Sequence, residues 1–148
     1  MHKFGTSFFN LLSTLQFVFE NMNLNNLFRK INRAVIAFTL LTGARISAIA
    51  SLKLKHIDLK AETVFQDARE VKTKFGKTFT TNFFPVGDEV IEIVFEWMEY
   101  LKSECLFGND DPLFPKTKMS QGSDHNFEVS GISKEHWSNA SAIRKIFK

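Results

Sequence analysis

The chain has 148 residues, of which 44% are hydrophobic and 24% charged, with a formal net charge of +3. That balance describes one globular domain with a real core and excludes a disordered or fibrous chain. A single cysteine, Cys105, excludes an internal disulfide, and no apolar run is long enough to cross a bilayer. No cleavable leader is read at the N-terminus, because Asn10 soon interrupts the Phe-rich start and no small-residue cleavage site follows.

The modest net charge conceals an asymmetry. Residues 29–77 carry eleven Lys/Arg against four Asp/Glu, a net +7, whereas residues 87–112 carry eight acids against Lys102 alone, a net −7. The basic stretch is the candidate for a polyanionic partner, and the acidic one reads as a solvated face turned elsewhere. Lysine-rich surfaces are common, so charge alone does not decide the matter.

In chain order, residues 7–20 place apolar side chains at helical spacing. The Asn-rich stretch 21–26 can end that helix and cap the next. Leu27 to Thr42 is again helical, and its second half is apolar nearly all round, which marks a central core helix. Gly43 supplies the stop, and a short helix follows with Arg45, Ile46, Ile49 and Leu52. Glu62–Asp67, Arg69–Lys74 and Thr78–Pro85 read as three extended segments, with Phe75-Gly76-Lys77 as a turn, giving a small antiparallel sheet. Asp88 and Glu89 open a long helix to about Ser103, with a stripe of Val90, Ile91, Val94, Trp97 and Leu101. Residues 105–121 read as loop, and a last helix is expected to start near Ser133 and to run off the chain without a Gly or Pro stop. The fold class is therefore mainly α with a small three-stranded antiparallel sheet, an α+β arrangement in one unit. Its expected parts are 1–26 as N-terminal helix and linker, 27–59 as helices around Arg45, 62–86 as the hairpin region and 88–148 as helices and loop.

Two residues carry the candidate chemistry. Arg45 follows a Gly-Ala turn at a helix start, where a cation is unfavourable unless it shares an anion with the free amides there. Its planar fork suits two phosphate oxygens. The bland alternative is an Arg paired with a core carboxylate. Lys74 precedes a Gly turn that would project its ammonium into a neighbouring groove, flanked by Lys72 and Lys77. For any one such lysine, plain exposure is the common outcome. His125 and His136 show no metal-ligand spacing, so neither a metal nor another cofactor is expected.

These segments resemble, in order, the motifs of tyrosine recombinases of the phage integrase family. LLTGARISAIASLKLKHIDL (40–59) is similar to that family's first active-site box, with its Leu-rich helix, Thr-Gly-x-Arg-Ile-Ser turn and Asp-Leu ending. TKFGKTFTTNFFPV (73–86) resembles its β-hairpin, and DPLFP (111–115) the loop after the next long helix. GISKEHWSNASAIRKIFK resembles the helix before its second box. The resemblance covers about residues 30–148 and implies the first half of a catalytic domain. By it, Arg45 corresponds to the arginine that holds the scissile phosphate, and Lys74 to the hairpin lysine that protonates the leaving 5′ oxygen, with Lys72 and Lys77 as weaker alternatives. Lys53, Lys55, Lys72 and Lys77 are then expected on the backbone of double-stranded DNA.

The resemblance has gaps. The family's His-x-x-Arg box, later His or Trp, and nucleophilic tyrosine have no match in these 148 residues, and its separate N-terminal clamping domain has none either. The only tyrosine, Tyr100, lies too early in the chain and reads as a packing or surface residue. Ala48 stands where the family often has Glu, and Leu54 where it often has Trp. The expectation is a partial domain from a DNA-recombining parent, inactive in cleavage alone, with self-association expected in the longer protein. It would be cytoplasmic, bacterial or phage-encoded and nucleoid-associated, with no membrane partner. The alternative is a non-catalytic DNA-binding or regulatory module, and the blandest is a helical interaction domain.

Overall fold

The computed structural model describes residues 27–121 and 127–147, and the helix expected at 7–20 and the linker to 26 lie outside these residues. Two sixteen-residue helices form the frame, α1 (Leu27–Thr42) and α3 (Asp88–Ser103), with the bounds that periodicity gives. On α1 the buried positions are Ile31, Ala34, Val35, Ala37, Phe38, Leu41 and Thr42, the i, i+3, i+4 stripe of a helix with one face in the core. On α3 they are Val90, Ile93, Val94, Trp97, Met98 and Leu101. The two stripes pack on each other. Asp88 and Glu89 in the first turn of α3 and Lys102 in its last turn suit its dipole.

The segment after α3 stitches the frame to the short helix α2 (Ile46–Ser51). Leu113 N donates to Leu52 O (2.9 Å), Leu54 N to Asp111 O (3.0 Å) and Lys55 N to Asn109 O (3.0 Å). Trp97 Nε1 donates to Leu113 O at 2.8 Å, and Phe114 meets Phe38 edge-on with centroids 5.4 Å apart. DPLFP is thus a structural clasp that fills the core with Leu113 and Phe114, both fully buried.

A three-stranded antiparallel sheet runs in the order β1 (Ile57–Asp58), β2 (Thr63–Gln66) and β3 (Phe79–Asn82). Val64 faces Ile57 on one side and Thr81 on the other, and Gln66 faces Phe79. Val64 and Gln66 point inward, and Gln66 Nε2 donates to Thr81 Oγ1 at 3.2 Å. The number of strands agrees with the sequence reading, but one member differs. Arg69–Lys74 is not a strand: the Asp67 carbonyl accepts from Glu70 N (2.9 Å) and Val71 N (2.7 Å), which bends the chain into a turn. Its place is taken by Ile57–Asp58, a strand of two residues that is too short to show a period.

The C-terminal part differs more. Thr117–Gln121 (β4) and Phe127–Ile132 (β5) form a second, two-stranded antiparallel sheet where a loop is expected from the sequence. The ladder reaches past Ile132, with Ser133 N on Lys116 O (2.9 Å) and Lys116 N on Glu135 O (2.8 Å). The Glu135 carbonyl, which a helix from Ser133 would offer to the amide four residues on, is taken by Lys116 N, and residues 133–140 are not helical. The last helix, α4, is only Ser141–Lys145, and it docks through the buried Ile143.

Gly43 joins α1 to α2 at φ +63°, and its amide donates to Thr39 O at 2.8 Å. An added Cβ would lie 2.9 Å from the Phe84 ring. Gly43→Ala is expected to destabilise the chain by about 1–2 kcal/mol through left-handed strain, with more if Phe84 cannot yield. Urea denaturation checks this, and an unchanged midpoint would show that the turn tolerates a side chain.

Candidate nucleic-acid interface

Arg45 is the N-cap of α2, in extended backbone (φ −67°, ψ 149°), and it is exposed. The turn that launches it is fixed by polar contacts on both sides. Thr42 Oγ1 donates to Phe38 O (2.8 Å) and accepts from Ala44 N (3.1 Å), while Phe84 N donates to Leu41 O (2.7 Å). Ile49 N donates to Arg45 O at 2.9 Å, so the Arg45 backbone belongs to the helix and its side chain does not. Among the described residues the guanidinium has no hydrogen-bond or ion-pair partner, which removes the reading of a core ion pair. With six residues, α2 adds little dipole, so an anion here would depend on the guanidinium itself.

The loop between β2 and β3 carries the lysines. Its base is a turn at Asp67, whose carboxylate takes a forked contact from Arg69 (Nε 3.0 Å, Nη2 2.8 Å) and accepts from Arg69 N (3.0 Å). These contacts hold the Asp67 carboxyl at about 2. Lys72 N donates to Ser51 Oγ at 2.9 Å, which ties the loop to the C-terminal end of α2. Arg45 and the loop anchor are therefore set at the two ends of one helix, roughly 9 Å of helical rise apart. Lys74 opens a 3-10 turn (Lys74–Gly76) rather than ending a strand, and Lys77 follows it. Lys72, Lys74 and Lys77 are all exposed, and none has a carboxylate partner among the described residues. Lys74 Nζ sits 5.1 Å from the centroid of the Phe75 ring.

Lys53 and Lys55 have a different setting. Both ammoniums converge on Glu70 Oε1, at 2.9 and 3.0 Å, and Lys55 also meets Asp110 at 2.8 Å. The other Glu70 oxygen accepts from His56 Nε2 at 3.2 Å, while His56 Nδ1 accepts from Lys53 N at 2.9 Å, which fixes a neutral imidazole with its proton on Nε2. Lys53 and then Lys55 pull the Glu70 carboxyl down to about 2. Burial depresses the pKa of His56, against the opposing pull of Glu70. Two lysines and two carboxylates thus form a locally neutral cluster, and what Lys53 and Lys55 can offer an external anion is reduced accordingly. Sequence reasoning missed Glu70 and Asp110 as their partners. The signal was faint, since Glu70 is one of only four acids in the basic segment.

A groove of about 440 Å³ lies beside the loop base, lined in part by Ser47, Ser51, Lys72, Trp137 and Asn139. His136 belongs to its wall, with Nδ1 donating to Ala50 O at 3.1 Å, and burial lowers its pKa. Tyr100 is half-buried, stacked on Trp97 (5.7 Å between centroids) with Lys30 Nζ 4.7 Å above its ring. Burial raises its pKa, so it is a packed phenol. Among the described residues, no cluster of His, Cys, Asp and Glu could hold a metal ion, and no helix is long and apolar enough to cross a membrane.

The sequence profile described as the phage integrase family matches residues 17–144. No curated protein matches the chain.

The carboxylates define the acid response. Glu70 and Asp67 titrate near 2 against ordinary values of 4.5 and 3.8, so the stability they lend is full above those ordinary values and drains as pH falls toward 2. His56 and His136 have pKa values lowered from 6.5, so the unfolded chain takes up their protons first and stability also falls as pH drops through 6.5. Thermal melting should therefore weaken in two stages on acidification. Glu70→Gln should lower the melting temperature at neutral pH and shrink the lower stage; an unaltered profile would remove Glu70 from this role.

Proposed function

The chain belongs to the phage integrase family, and from that premise we infer that it contributes the first phosphate-binding arginine and the hairpin lysine of a DNA strand-exchange site. The observation that carries this reading is the division of the cations. Lys53, Lys55 and Arg69 are held by carboxylates, whereas Arg45, Lys72, Lys74 and Lys77 stand exposed without one among the described residues, on two supports fixed to the ends of α2. Unpaired cations on a fixed frame suit a phosphodiester backbone, which supplies the missing negative charge from outside.

In this reading, the Arg45 fork binds two non-bridging oxygens of the scissile phosphate. It stabilises the charge that grows on them as a tyrosine hydroxyl, from outside these 148 residues, gives up its proton to solvent and attacks phosphorus. The phosphorus–O5′ bond breaks, a 3′-phosphotyrosine link forms, and the Lys74 ammonium gives its proton to the departing 5′ oxygen. Lys72 and Lys77 hold neighbouring phosphates. Lys53 and Lys55 act mainly by fixing Glu70 and so the loop base. Self-association, and work in the cytoplasm on nucleoid DNA, belong to the longer protein in this proposal.

A second reading, DNA binding without cleavage by this polypeptide, is favoured by the setting of its only tyrosine. Tyr100 is stacked on Trp97 within the frame. The two readings share the interface and differ in chemistry.

Two measurements test them. Duplex affinity should fall steeply with salt, and replacing Lys72, Lys74 and Lys77 together with Ala should flatten the log–log slope by roughly 2.7, at about 0.9 per phosphate contact. Lys53→Ala with Lys55→Ala should flatten it far less, and equal effects would reverse the assignment. In a polypeptide that also carries the missing boxes, Arg45→Ala should cut covalent protein–DNA product by roughly a hundredfold or more, with Lys74→Ala slowing cleavage as well. Cleavage unaffected by Arg45→Ala would eliminate the enzymatic reading while leaving the binding one.

A further inference from the structure

The most exposed large apolar side chain among those described is Phe75, at 82%, and it sits at the tip of the lysine loop. Its backbone is left-handed, with φ +59° and ψ 21°, beside Gly76 at φ +61°. A turn of that shape is served best by Gly or Asn at both positions, so a bulky aromatic there adds backbone strain to the cost of a ring held in water. Lys74 Nζ lies 5.1 Å from its centroid, a contact that leaves most of the ring bare. The surroundings are of one sign. From Val71 to Gly87 the chain has Lys72, Lys74 and Lys77 and no acidic residue, and Phe79 and Phe84 of the same stretch are also partly exposed.

We propose that Phe75 is an apolar wedge that enters a base step of duplex DNA while the three lysines hold the flanking phosphates. The proposal deepens the DNA-binding reading above and rests on it. An aromatic ring stacks on any base, and a left-handed residue followed by glycine at the tip of the loop leaves this ring exposed to meet one. The partner is fixed by chemistry. Three unpaired ammoniums call for a polyanion, and a bare ring among them calls for a polyanion with stackable faces. The strain at Phe75 is constant in the free chain, and its ring finds apolar contact only when a base opens for it.

The test uses this chain with two duplexes of mixed sequence, one fully paired and one with a central mismatch flanked by 2-aminopurine. Opening a mismatched step costs less, so the unaltered chain should bind that duplex about tenfold more tightly and brighten the probe. Phe75→Ala should abolish both the preference and the brightening while leaving the salt slope unchanged, and Phe75→Trp should keep them. The melting temperature of Phe75→Ala should not fall, since the ring packs against little. Equal affinity of the unaltered chain for both duplexes, or a preference that survives in Phe75→Ala, overturns the wedge while lysine-dependent binding stands. Absence of salt-sensitive binding to either duplex overturns the DNA-binding reading itself, and the wedge with it.

Discussion

The Glu70 carboxylate is the contact on which the arrangement of charge depends. It gathers Lys53, Lys55 and His56 from the turn after α2 and holds them against the base of the β2–β3 loop. Without it, two ammoniums beside a buried imidazole would have Asp110 alone as counter-charge, and the loop base would lose its ionic tie to the turn after α2. With it, the Asp67 turn and the Lys72–Ser51 hydrogen bond can set the loop in one place. Exposed ion pairs contribute little singly, but a carboxylate shared among three donors orders several side chains at once and so costs less entropy per contact. The pairing also sorts the basic segment. Lys53, Lys55 and Arg69 are held by carboxylates, whereas Arg45, Lys72, Lys74 and Lys77 have no carboxylate partner among the described residues.

The second constraint is the close approach at Gly43. A helix whose inward face is apolar up to Thr42 must stop abruptly if the next residues are to carry a charge into solvent. Thr42 caps the turn through its hydroxyl, and Phe84 covers the glycine from the strand side. Because the Phe84 amide bonds to Leu41 O, the exit of β3 and the entry of α2 are parts of one joint. Arg45 and the lysine loop are therefore coupled through backbone contacts in spite of the distance between them in sequence.

The sequence was informative where pattern is repeated and silent where it is short. The α1 and α3 helices each present more than four turns of one stripe, and periodicity places both at the bounds the structure shows, the end of α3 to within about a residue. Gly43 and Arg45 were legible because a glycine after an apolar helix has a single common use. The strand Ile57–Asp58 was not, since two residues carry no period, and neither was β4–β5, whose residues are largely polar and whose ladder has a shift at Lys118/Met119. The expected strand 69–74 failed for another reason: a single aspartate that bonds its own following backbone outweighs β-propensity over a few residues. At the candidate site, residue types marked Arg45 and Lys74, but only the fold could separate paired lysines from unpaired ones. Lys53 and Lys72 look alike in sequence and differ by one carboxylate seventeen residues from the first.

The charge asymmetry then takes on a structural meaning. Glu89, Glu92, Glu96 and Glu99 of α3 are exposed, so the long helix presents acid to solvent along much of its length. A polyanion is repelled by that surface and attracted by the lysine loop, which limits the orientations in which the two can meet. Asp110 lies at the boundary, since it comes from the acidic stretch and closes on Lys55. The acidic segment therefore contributes in two ways, by neutralising a basic cluster that serves the fold and by discouraging contact through α3. A free cation is most useful to a ligand where its neighbours are already satisfied. An anion that reached this loop would meet ammonium groups with no carboxylate to give up, and in the proposed reading the lysines without a carboxylate, more than the total charge, form the interface.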